Sequence, residues 1–153
     1  MYLYFAQHGE AKPPEAGPTR GLTTRGIADV RTVAVHLQKL SLDVKKTYHN
    51  DKTRARETAA ILAPQLRPVK GVVETAGLPL RDDPQISHER LKVLDEETVL
   101  VGHLPHLGRL ASLLLCGDSE RTAVKVKMGG IVCFRRLDED WSLEWAVSPE
   151  LFN

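Results

Sequence analysis

Three short segments of this chain carry residues that can do chemistry together. Gln7-His8-Gly9-Glu10 follows the apolar run YLYFA, His49-Asn50-Asp51 leads into Thr53 and Arg54, and Gly102-His103 precedes Leu104-Pro105-His106. A lone histidine in a loop is most often solvated or locally hydrogen-bonded. Arg54 alone can pair with Glu57 one turn along a helix, for a few tenths of a kcal/mol. Yet the first turn of a helix favours acids rather than bases, so an arginine there makes better sense with an anion beside it. A phosphoryl group fits the whole set. The guanidinium fork matches phosphate oxygens bidentately, and a neutral imidazole is a competent nucleophile toward phosphorus. A second histidine can stabilise charge on the transferring oxygens. A glycine after the first histidine lets the backbone come close.

These segments need a scaffold that brings them to one edge. YLYFA reads as a buried strand, and Pro13, Pro14, Gly17 and Pro18 mark a loop over residues 10–22. Ile27, Val30, Val33, Ala34, Leu37 and Leu40 recur at helical spacing behind a cap at Thr23 or Thr24. A strand is expected over 43–48. A helix over 52–66 follows, with Ala55, Thr58, Ala59 and Leu62 on one face and Pro64 ending or distorting it. Another strand is expected over 71–75. Asp82-Asp83-Pro84 is a helix start, with an acidic cap before proline at the first helical position; that helix should run through Ile86, Leu91 and Leu94. Residues 98–102 (TVLVG) read as a strand buried on both faces, followed by a helix carrying Leu107, Leu110, Ala111 and Leu114. Residues 130–137 and 142–147 form a hairpin-like pair around Asp138-Glu139-Asp140.

Strand and helix alternate, which predicts an α/β fold: a three-layer α/β/α sandwich with a central, mostly parallel sheet. At 153 residues the chain is expected to form a single domain over 1–153. Ligands in such folds bind beyond the carboxyl ends of the strands, where His8, Arg54 and His103 all fall.

His8-Gly9-Glu10 after the first strand, LTTRG opening the first helix, Arg54 in TRARETA and His103 in VLVGHLPHL resemble the histidine phosphatase (phosphoglycerate mutase-like) superfamily, most closely its SixA-like phosphohistidine phosphatases. The ordered set spans nearly the whole chain. The resemblance implies that His8 is the nucleophile, forming a phosphohistidine that water hydrolyses. It implies that Arg54 binds phosphoryl oxygens and that His103 is the second catalytic histidine. Asn50 would stand where the family places a small polar residue before the arginine. Gln7, Gly9, Asn50, Arg54 and His103 would thus surround the phosphate, with no metal or cofactor required.

Two departures matter. The family motif is usually Arg-His-Gly, whereas Gln7 precedes His8 here. An amide donates without charge, and charge-assisted bonds are about twice as strong. The second is the general acid. Larger members supply a glutamate from an insertion, but the segment from Glu74 to Asp83 is short, and Glu74, Asp82 and Asp83 are the acids nearby. Phosphohistidine has a labile P–N bond and a good leaving group, so it suits a site without a strong acid. A short segment also leaves the mouth open to a protein side chain.

The expected function is therefore a phosphohistidine phosphatase acting on a phosphorylated protein. A small phosphate ester is an alternative substrate, and a degenerate phosphate-binding module with little turnover is an alternative function; Gln7 motivates the latter. A metal site built from His8, His49 and His103 is a third reading, but no cysteine or carboxylate ligand accompanies those histidines. Lys12, Arg20, Arg56 and Arg109 can rim the pocket or simply be solvated. The net charge is +1, from 21 basic and 20 acidic residues. That leaves no global field for nucleic acid or an anionic membrane. No segment reaches the roughly 20 apolar residues of a membrane span, and the default compartment is the cytoplasm. Cys116 and Cys133 sit in apolar runs without metal or redox spacing and are expected to be reduced core thiols. Trp141 and Trp145 are expected in the core.

Overall fold

The computed structural model describes residues 1–75 and 83–153. Its elements are β1 (Tyr2–Gln7), α1 (Thr24–Gln38), β2 (Lys46–His49), α2 (Thr53–Leu66), β3 (Val72–Glu74), α3 (Pro84–Lys92), β4 (Thr98–Gly102), α4 (His106–Cys116), β5 (Ile131–Leu137) and β6 (Asp140–Val147). The strands form one sheet in the order β3-β2-β4-β1-β5-β6. The first four are parallel and the β5–β6 hairpin is antiparallel at the β1 side.

Alternation along the strands builds the layers. Tyr4 and Ala6 of β1, Val99 and Val101 of β4, and Ile131 and Cys133 of β5 pack with Val30, Val33 and Leu37 of α1 and Ala55, Ala59 and Leu62 of α2. Leu3, Phe5, Leu100, Val132 and Phe134 point the other way, onto Leu91 of α3 and Leu107, Leu110 and Ala111 of α4. All five residues of β4 are buried, as a central parallel strand requires.

Local signals explain most element ends. Thr23 caps α1, its hydroxyl accepting from Gly26 N at 2.9 Å. Asp83 caps α3 by accepting from Gln85 N; the expectation for Asp82 lies outside the described residues. Several expectations are corrected. Pro64 lies inside α2, which continues to Leu66 before Arg67 takes the left-handed conformation at its end. Pro64 forgoes its own bond to the carbonyl four residues back, and the helix runs on for two residues beyond it. Leu40 lies beyond α1 and is exposed, and α3 runs through Ile86 and Leu91 but ends at Lys92, short of Leu94. The strand expected over 43–48 begins at Lys46, with Val44 buried ahead of it. Cys133 is a core thiol whose pKa burial pushes up to about 12. Cys116, in contrast, is exposed at the end of α4, where the apolar stripe has already turned away. Trp145 is partly buried beside the Tyr4 ring, with centroids 6.0 Å apart, and Trp141 is partly buried against the other core layer.

Candidate active site

β2, β4 and β1 lie side by side, so their carboxyl ends form one edge. Backbone bonds stitch the turns there together: His8 N donates to Gly102 O at 3.0 Å, and Asn50 N donates to Val101 O at 3.3 Å.

His8 is held in one tautomer. Its Nδ1 lies 2.7 Å from Gly9 O, a carbonyl that can only accept. Nδ1 therefore carries the proton. Nε2 then presents its lone pair, to which Arg54 Nε donates at 3.3 Å. Burial first, and then the Arg54, His103 and Arg20 charges, hold the imidazole below its ordinary pKa of 6.5, outweighing the Gly9 bond. The ring is neutral at neutral pH. The side chain nearest its lone pair is a guanidinium.

The Arg54 side chain thus reaches across to His8 rather than back to Glu57. Glu57 instead accepts a hydrogen bond from Leu22 N at 2.8 Å, tying α2 to the loop that carries Arg20. Burial and the neighbouring Arg20 charge lower the Arg54 pKa, with Asp51 opposing them. Two cations this close suit a polyvalent anion.

Asn50 orients the second histidine. Lys52 N donates to Asn50 Oδ1 at 3.0 Å, so the other end of the amide, Nδ2, faces His103 Nδ1 at 3.1 Å and donates to it. An Nδ1 that accepts leaves the proton of a neutral ring on Nε2. The two histidines are therefore complementary: His8 offers a lone pair at Nε2, and His103 carries a proton there.

Gly9 has a different cause from the one expected. A Cβ on Gly9 would lie 2.8 Å from Val30 Cγ2 and 2.9 Å from Gly26 O, and one on Gly26 would lie 2.2 Å from Glu10 O. The glycines let α1 pack directly on the turn after β1. Gly9 N donates to Thr58 Oγ1 at 3.1 Å, and that hydroxyl donates to Arg54 O at 2.7 Å. Thr58 was expected only as a helix-face residue. Its position one turn after Arg54 is the signal that it braces the same site.

No family model matches the chain. An uncharacterized protein of Picosynechococcus sp. is 35% identical over 144 residues, spanning 88% of this chain and 85% of that protein, so the two belong to one family. Among solved structures, the protein histidine phosphatase SixA complexed with tungstate superposes with a TM-score of 0.87 over 100% of both chains, at 22% identity. The chain has the histidine phosphatase fold. The alpha-ribazole phosphatase from Shigella flexneri shares this fold with a TM-score of 0.72 (16% identity, 97% of each chain). So does a mycobacterial glucosyl-3-phosphoglycerate phosphatase complexed with VO3, with a TM-score of 0.68 (17% identity, 94% of this chain and 97% of that one).

In this histidine phosphatase fold the remaining candidates separate. Glu10 orients the turn, its Oε1 accepting from Thr23 Oγ1 at 3.0 Å. His49 is buried with Nδ1 2.7 Å from its neighbour's carbonyl, Asn50 O. His106 is buried beside Ser87 Oγ, where α3 meets α4. Among the described residues, no three histidine, cysteine or carboxylate side chains gather as metal ligands, so His49 does not join His8 and His103 in one. Glu74 is exposed on edge strand β3, and Asp83 is committed to its cap. Lys12 and Arg56 are exposed. Arg20 is half-buried, donating to Lys12 O at 3.0 Å. Arg109 lines a cavity that Gln7 also lines. Among the described residues no helix is long and apolar enough to cross a membrane.

Proposed function

We propose that this protein is a phosphatase that removes phosphoryl groups from phosphohistidine on a protein, through a covalent phosphohistidine at His8. The observation that carries the reading is the fixed tautomer of His8, with its proton on the Gly9 side and its Nε2 lone pair toward Arg54. Arg54 shifts from the ring to the phosphoryl oxygens when substrate enters, and Arg20 adds positive charge. His8 Nε2 attacks phosphorus and the P–N bond of the substrate breaks, its electron pair leaving with the substrate imidazole. His103, its proton on Nε2, stabilises the equatorial oxygens. Water then attacks phosphorus, the His8–P bond breaks, and its electron pair returns to Nε2 while the water's proton passes to a phosphate oxygen. The SixA likeness in fold supports this substrate class.

The test is hydrolysis of a phosphohistidine peptide by wild type and His8→Ala. Turnover by wild type and none by His8→Ala is expected. Equal rates in both would remove the assignment. Gln7, uncharged where the family usually has arginine, favours a second reading as a phosphate-binding protein; tight phosphate binding with no wild-type turnover would select it.

A further inference from the structure

Leu3, Phe5 and Gln7 alternate onto the α4 face of the sheet, so Gln7 extends that apolar row to the sheet edge. There it meets a cavity of about 650 Å³. Its walls come from Leu104 and Gly108 at the start of α4 and from Val124, Val126 and Met128 in the segment before β5. Arg109 and Lys125 also line it, and neither makes an ion pair among the described residues. Ser119, Glu120, Arg121, Thr122 and Lys127 complete its polar rim, and Gln7, the residue before His8, brings its amide to the sheet-edge side.

That amide is incompletely bonded. Gln7 Oε1 is buried and has no hydrogen-bond partner among the described residues. Buried polar atoms are normally paired, and the terminal torsion of a glutamine is soft. Turning the amide toward the cavity lets Oε1 accept from an occupant at little conformational cost. Arginine, with donors only, has no such acceptor.

We infer that this cavity holds the leaving group, an imidazole ring of phosphohistidine, and that Gln7 Oε1 accepts a hydrogen bond from the ring nitrogen that is not phosphorylated. This rests on the phosphatase reading above and names the group that selects its substrate. The ring enters with that nitrogen protonated. When His8 Nε2 bonds to phosphorus, the P–N electron pair moves onto the departing nitrogen and neutralises the ring. Imidazole leaves neutral, and no carboxylic acid has to supply a proton. The Gln7 acceptor takes the N–H of the protonated ring, whereas an arginine in its place, with donors only, has nothing to accept it.

The test compares kcat/KM for a phosphohistidine peptide with kcat/KM for acetyl phosphate, which has neither ring nor N–H, in wild type, Gln7→Arg and Gly108→Leu. Gly108 lines the cavity, and a Cβ there would meet only Leu104 Cδ2, at an ordinary 3.5 Å. The phosphohistidine-to-acetyl phosphate ratio is expected to fall about tenfold or more in both variants, since a site built to hydrogen-bond its substrate discriminates strongly when that bond is lost. Turnover of both substrates with the ratio unchanged in either variant would overturn this inference and leave the phosphatase reading standing. No wild-type turnover of either substrate would overturn the phosphatase reading and this inference with it.

Discussion

Arg54 donates its Nε–H to the unprotonated Nε2 of His8 across 3.3 Å, linking the first turn of α2 to the end of β1. A cation on the lone pair opposes protonation there, and burial opposes it more. The neutral ring is thus a property of the fold. Below pH 6.5, the ordinary value, an unfolded chain takes a proton that the folded ring resists. The stability this ring confers is complete above about pH 6.5 and declines as pH falls below it. An NMR titration of the His8 Cε1–H resonance should give a midpoint below 6.5. Thermal unfolding of wild type should lose more stability between pH 7.5 and 5.5 than His8→Gln does. A midpoint at or above 6.5 would contradict this.

Asn50 fixes the His103 tautomer because its own carbonyl is occupied by Lys52 N. Asn50→Ala removes that constraint, and a mixture of tautomers should appear in long-range ¹⁵N spectra of His103. Activity should fall about 10²-fold, the loss typical of one misdirected donor at a developing oxyanion. A pure Nε2–H tautomer with wild-type activity would sink the assignment.

Gly26→Ala sets two effects against each other. In a helix interior alanine is favoured over glycine by about 1 kcal/mol, an upper bound for Gly26, which is buried in the first turn of α1. Its Cβ would fall 2.2 Å from Glu10 O, however, and backbone on both sides must shift. Overpacking costs about 1–3 kcal/mol or more, so the clash wins. Urea unfolding should show net destabilisation, and a stabilised Gly26→Ala would refute the close approach of α1 to the turn.

Much of the scaffold was legible from spacing. The uninterrupted apolar run TVLVG could only be a central strand, and Thr23 and Asp83 announced their helices through side chains that bond their own backbone. The errors share a cause. Leu40 and Leu94 fit a helical period but lie beyond the ends of α1 and α3, which periodicity cannot report. The sequence suggests that Gly9 makes room for a ligand, whereas the neighbour that excludes a side chain is α1, distant in sequence. That His8, Arg54 and His103 gather at one sheet edge is legible because each lies beyond the carboxyl end of a strand. The bracing of Arg54 by Thr58, and the tie from Glu57 to Leu22, depend on how α2 sits against the first loop, which no local pattern encodes.

That tie carries its own prediction. The Glu57 carboxylate accepts from the buried Leu22 amide, beside Gly21 and Arg20. Glu57→Ala leaves that amide unpaired and should cost about 1.5–3 kcal/mol, as loss of a bond to a charged group does. It should also raise KM, because Arg20 is held less firmly. Urea unfolding and steady-state kinetics check both, and a variant unchanged in stability would remove the tie.

The account turns on His8 becoming covalently phosphorylated, and that can be seen directly. Wild type is mixed with a phosphohistidine peptide and quenched in alkali, where phosphohistidine survives, and its peptides are then mapped by mass. A phosphoryl group on His8, absent from His8→Ala and unaffected by chelator, is the predicted result. Turnover of the peptide with no phosphoryl group ever detected on His8 would contradict the account.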